Sequence, residues 1–189
     1  MAVFIVMSTA SSCILEHDNV NESLNRKPGD YIPPFEVALT DGSTITDDTL
    51  EGSTSLVLLF DKDIRKSEQQ LLEIQKLYDK FKKSKPEGFS NFVLISRCCS
   101  QKDIDALWRE LNLTIPCSPQ EGDCIFAAFA YFGSPVIYIS DSKNVIKYYH
   151  CSEVISADAL LDEIEDTINS SLPTPDDDDD DDDMLHALN

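Results

Sequence analysis

Five consecutive apolar residues, Leu56 to Phe60, constrain this chain more than any other feature. They are followed by the charged stretch Asp61-Lys62-Asp63-Ile64-Arg65-Lys66, and then by apolar residues at Leu71, Ile74, Leu77, Tyr78 and Phe81. A run without polar alternation predicts a strand buried on both faces, as in a parallel sheet covered on each side. The spacing beyond it predicts a helix beginning near Ser67, capped by Asp63 or by Ser67 acting with Gln70. The charged stretch would then join the C-terminal end of a central strand to a helix N-terminus, where open α/β sheets place their ligands.

The remaining signals fall into order around this unit. Asp41-Gly42 separates two short strand patterns, Phe35 to Leu39 and Ser43 to Thr46, and predicts a hairpin. Lys85-Pro86-Glu87-Gly88 ends the first helix. Phe92 to Ile95, within Asn91 to Ser96, predicts a second buried strand. A right-handed strand-helix-strand crossover puts its end, with Cys98 and Cys99 just beyond, at the same rim as the charged stretch. Ser100 with Asp103 predicts the cap of a helix from Ser100 to Leu113, whose Ile104, Leu107, Trp108 and Leu111 share one face, so Trp108 is read as core. Thr114 to Gly133 is irregular and ends in the apolar run Ile125 to Phe132. Val136 to Ile139 and Val145 to Tyr149 predict antiparallel strands about Asp141-Ser142-Lys143-Asn144, which returns His150 and Cys151 to the rim. Ser156 to Ile168 predicts the closing helix, with Leu160, Leu161, Ile164 and Ile168 inward.

This order resembles the thioredoxin superfamily, in particular its extracytoplasmic, membrane-tethered thiol-disulfide oxidoreductases. Those proteins open on Gly-Asp-x-x-Pro-x-Phe, matched at Gly29, Asp30, Pro33 and Phe35, with Pro34 as a second proline. The hairpin, the central strand, the helix, the second strand and a proline before the next strand, here Ser134-Pro135, follow in the same sequence. The resemblance implies an α/β thioredoxin-like fold, a central mixed sheet flanked by helices with an N-terminal β-hairpin. It also implies that Pro135 corresponds to a cis-proline beside the redox loop, and that Asp63, Arg65, Ser134 and Pro135 line a peptide-binding groove. The family's Cys-x-x-Cys is absent: its positions hold Ile64 and Ser67. Dithiol exchange needs one thiolate to attack a disulfide and a second thiol to resolve the mixed disulfide, and neither residue supplies one.

Composition sets the surroundings of the domain. The 189 residues carry a formal net charge of −20, and Asp176 to Asp183 contribute eight of those charges, leaving −12 for the remainder. An acidic body argues against a nucleic-acid partner. No apolar stretch reaches the length of a membrane-spanning helix. Val3 to Met7 followed by Ser8-Thr9-Ala10-Ser11-Ser12-Cys13 resembles the end of a bacterial lipoprotein signal, which implies a lipid on Cys13 and a place on the periplasmic side of the cell envelope. The pattern departs from that type in two ways: no Lys or Arg precedes the apolar run, and Ala10 stands where leucine is usual. The expected organisation is a signal over 1–13, a tether over 14–28, the thioredoxin-like domain over 29–170 and a disordered acidic tail over 171–189.

Five cysteines remain besides Cys13: Cys98, Cys99, Cys117, Cys124 and Cys151. One reading makes them a relocated redox pair at the active rim. The other staples Cys117 to Cys124 in a short-loop disulfide and packs Cys98 and Cys99 as small apolar residues. No zinc spacing occurs, and neither metal nor cofactor is expected. Two functions stay open: a module that has lost dithiol catalysis and binds a peptide or protein partner in the envelope, or a thiol-disulfide oxidoreductase or antioxidant redoxin using displaced cysteines.

Overall fold

The computed structural model describes residues 25–121 and 125–171. Cys13, Cys124 and the Asp176 to Asp183 run lie outside the described residues. The central strand β3 (Thr54–Phe60) is buried along its whole length. It pairs in parallel with β4 (Phe89–Ser96) and antiparallel with β5 (Val136–Ser140), and β5 pairs antiparallel with β6 (Ile146–Cys151), giving the order β4-β3-β5-β6. Strand alternation sends Leu56, Leu58 and Phe60 to one face and Val57 and Leu59 to the other. Both sets are fully buried, and each such side chain contributes about 1.5–3 kcal/mol.

Three helices cover the first face: α1 (Arg65–Lys83), α2 (Gln101–Leu111) and α4 (Ala157–Ser170). The opposite face is closed by the hairpin β1 (Glu36–Ala38) and β2 (Thr44–Thr46), by Leu50, and by the single-turn α3 (Phe126–Phe129). Ser100 caps α2 as the sequence predicts, accepting from the Asp103 N–H. Trp108 packs on Phe60 and donates its Nε1–H to the Ile115 carbonyl at 2.7 Å, a core role.

Several expectations are corrected. α1 begins at Arg65, with Ile64 as an N-cap residue that makes no side-chain cap bond. Asp63 instead pairs with Lys62, and Gln70 is drawn inward, where it exchanges hydrogen bonds with the backbone of Ile155. A neighbouring lysine for Asp63 and a tertiary backbone partner for Gln70 outcompete the local cap. On α4 the third fully buried residue is Thr167, whose hydroxyl donates to the Glu163 carbonyl, while Leu161 and Ile168 are half-buried. The apolar run before Gly133 is helical only over Phe126–Phe129, and Tyr131 and Phe132 project into solvent.

The packed domain already includes Asn25. Its side chain is 6% exposed; its oxygen accepts from the Tyr131 and Phe132 N–H groups, and its amide donates to the Phe132 carbonyl and the Tyr149 hydroxyl. Among the described residues no helix is long and apolar enough to cross a membrane.

Candidate functional site

The loop leaving β3 is ordered by its own backbone and by one carboxylate. Asp61 accepts from the Asp63 N–H at 3.0 Å, and the Ile64 N–H donates to the Asp61 carbonyl at 3.1 Å. This Asx-type turn presents Ile64 at the start of α1, 41% exposed. Three residues on, one helical turn carries Ser67 inward, and it is fully buried.

Ser67 meets the loop before β5. Its Oγ lies 2.8 Å from Ser134 Oγ, one hydroxyl donating to the other. The Asp61 N–H donates to Ser134 Oγ at 2.8 Å and more weakly to Ser67 Oγ at 3.3 Å. Two buried hydroxyls and a strand-end amide thus satisfy one another, as buried polar groups must. The Ser134–Pro135 peptide bond is cis. Asp63 and Arg65 stand exposed on the loop side, and Ser134 and Pro135 are buried on the other. A third wall, not foreseen as such, is the segment after β6: the Ser152 N–H donates to the Pro135 carbonyl at 2.8 Å, and Lys66 Nζ donates to the Ser152 carbonyl at 2.7 Å. An open cavity of about 570 Å³ adjoins it, lined by Asn25, Phe132, Gly133, Tyr149 and Cys151 among others.

The four described cysteines do not all gather into one centre. Cys98 and Cys99 follow β4 and Cys151 ends β6, the two outer strands of the sheet. With neighbouring strands about 4.8 Å apart, they are separated by roughly 14 Å across the sheet. A disulfide needs Cα atoms within about 7 Å, so Cys151 forms no pair with Cys98 or Cys99 in this fold. Cys98 is exposed, whereas Cys99 and Cys117 are buried in the α1-side core and carry free thiols. Cys124, the expected short-loop partner of Cys117, lies outside the described residues. Burial pushes both thiols upward; for Cys99 the Ser96 hydroxyl and the Lys62 N–H pull partly back, while Cys117 is raised further by Cys99 beside it. A redox thiol needs the opposite shift.

Because the neutral thiol is the unreactive form, Cys99 and Cys117 should stay unalkylated by iodoacetamide at pH 8 in the native protein. They should react fully in guanidinium. Mass mapping of the alkylated peptides checks this, and rapid native labelling of either residue would contradict their burial.

The same architecture occurs among solved structures. A solution structure from Bacteroides thetaiotaomicron, described as a protein disulfide isomerase, superposes with a TM-score of 0.66 at 21% identity, over 76% of this chain and 91% of its own. The fold is thioredoxin-like. The thioredoxin domain of a thiol-disulfide oxidoreductase from Bacteroides vulgatus shares this thioredoxin-like fold with a TM-score of 0.63 at 18% identity, over 77% and 100% of the two chains. A secreted thiol-disulfide isomerase from Corynebacterium glutamicum gives 0.59 at 11%, over 73% and 85%. At these identities the likeness is one of fold. The sequence matches no family model and no curated protein. Within the thioredoxin-like frame, Ile64 and Ser67 occupy the exposed and the buried position at the start of the helix that follows the central strand.

Proposed function

We propose that this chain is a thioredoxin-fold module that has lost dithiol exchange and binds an extended peptide or protein segment between Asp61 to Lys66 and Ser134-Pro135. In this reading it works outside the cytoplasm, attached to the membrane only through a lipid on Cys13. The observation that carries it is Ser67: the buried position of the degenerate motif holds a hydroxyl locked to Ser134 and to the Asp61 amide, not a thiol waiting to resolve a disulfide. Serine at its ordinary pKa cannot replace a thiolate, and the chain has no cysteine between Leu56 and Phe92.

The groove keeps what a peptide needs. Among the described residues the backbone N–H and C=O of Ser134 take no partner, so both are left for β-type pairing with an extended segment. Exposed Ile64 and Phe132 offer apolar contact near its edges. The alternative, thiol exchange through displaced cysteines, has less support, because Cys99 and Cys117 are shielded from any substrate and Cys151 stands across the sheet from Cys98 and Cys99.

The test uses a permanently unfolded, thiol-free probe, S-carboxymethylated α-lactalbumin, titrated into the isotopically labelled full chain. The amides of Asp61 to Lys66, Ser134 and Val136 are expected to shift together. Shifts confined to other surfaces, or none at all, would remove the groove from consideration.

A further inference from the structure

His150, on β6, stands between two carboxylates. Its Nδ1 lies 3.1 Å from Glu153 Oε1, and its Nε2 lies 3.0 and 2.9 Å from the two oxygens of Glu163. An ionised carboxylate only accepts, and a neutral imidazole has a single N–H. With one proton, the ring would satisfy one carboxylate and set a lone pair against the other at hydrogen-bond distance. Both contacts together require the doubly protonated ring.

The surroundings determine which contact is lost with the proton. Glu163, on α4, is 19% exposed and touches Nε2 with both oxygens, whereas Glu153 is 56% exposed and touches Nδ1 with one. Also on α4, Asp166 accepts from the Tyr148 hydroxyl at 2.6 Å. On β5 the residue opposite His150 is Ile137, which does not titrate. From α1, Lys66 reaches the Ser152 carbonyl, and Gln70 exchanges two bonds with Ile155. A singly protonated ring therefore keeps Glu163 and releases Glu153 to solvent.

We propose that His150 is a proton-operated latch on the segment Ser152 to Ile155. That segment is the third wall of the groove, because Ser152 holds the Pro135 carbonyl with its N–H and receives Lys66 on its own carbonyl. With His150 protonated and Glu153 ionised, the wall is pinned to β6 and α4; when the proton leaves, Glu153 lets go and the wall loosens. Its consequence, tighter holding of a bound segment at lower pH, rests on the groove reading above, but the latch itself does not.

The experiment is a pH titration of the labelled full chain without any ligand, from about pH 5 to pH 8, the range in which imidazoles change charge. The imidazole signals of His150 are assigned by their loss in His150→Gln. The amides of Ser152 and Glu153 are expected to follow the His150 ring on one single-proton curve. In Glu153→Gln, a change at an exposed side chain, the ring still titrates but these amides no longer follow it. Amides that stay flat while the ring titrates, or that follow it equally in Glu153→Gln, overturn the latch. A failure of peptide binding leaves these ligand-free curves untouched, so the two readings fail separately.

Discussion

Replacing Ile64 and Ser67 together by cysteine is expected to give the chain a disulfide-reducing activity that, on the function proposed above, the unmodified protein lacks. The thiol introduced at position 64 would sit half-exposed at the N-cap of α1, whose first turn carries unpaired N–H groups and the positive end of the helix dipole. An ordinary thiol is only about 3% thiolate at pH 7, and a pKa lowered to about 7 raises that to roughly half, more than a tenfold gain in the attacking species. The thiolate attacks a substrate disulfide and releases one substrate thiol. The thiol introduced at position 67 then displaces the second, leaving a disulfide in the protein that dithiothreitol reduces again.

Single variants separate these steps. Ile64→Cys alone should trap substrate as a mixed disulfide without turnover. Ser67→Cys alone should do neither, because its sulfur is buried. Insulin reduction in the presence of dithiothreitol measures all four proteins. If the unmodified chain turns over above background, and the activity disappears in Cys98→Ser or Cys151→Ser, the loss of catalysis proposed here is wrong.

The largest loss of stability is expected at Gly133, the residue before Ser134. Its φ is +85°, and a Cβ there would lie 2.2 Å from Cys151 Sγ and 2.8 Å from Ser152 Oγ. The left-handed backbone costs an alanine about 1–2 kcal/mol, and forcing a methyl into occupied space adds about 1–3 kcal/mol. Gly133→Ala should thus lower the melting temperature by about 5–15 °C, at roughly 3 °C per kcal/mol for a domain of this size. The two parts can be told apart in a Cys151→Ala background. There the sulfur is gone, and only the backbone strain and the rotatable Ser152 hydroxyl remain, so the same substitution should cost clearly less. Equal costs in the two backgrounds would show that Cys151 does not pack on Gly133. Because Ser134 follows directly, Gly133→Ala should also disturb the Asp61 and Ser67 amides that report on the hydroxyl network.

Much of this was legible in the chain because the deciding interactions are local or periodic. The unbroken Leu56 to Phe60 run meant a strand covered on both faces, and the core divides about it as alternation demands. Ser100 with Asp103 announced a helix start, since a cap is made within one turn. The start of α1 failed on the same logic. Asp63 and Ser67 both suit a cap, but Lys62 and Ser134 hold them, and no local rule ranks a neighbour against a residue nearly seventy positions away.

The cysteines mark the same division. Strand order brings the ends of β4 and β6 to one rim, but not how far apart along it they lie. A rim is long on the scale of a disulfide, and Cys98 and Cys151 belong to its opposite ends. Asn25 carried no signal at all, since the described partners of its side chain come from residues more than a hundred positions downstream.

By itself the sequence determined the layered α/β arrangement, the loop beyond the central strand and the lack of sulfur in that loop, because apolar periodicity and residue identity need no partner to be read. Only the tertiary structure decided that Ser67 locks to Ser134, that Ser152 closes the groove on Pro135 and that His150 lies between two glutamates. Each of these is a contact between side chains or backbone groups brought together by packing, and packing is set by the whole core at once.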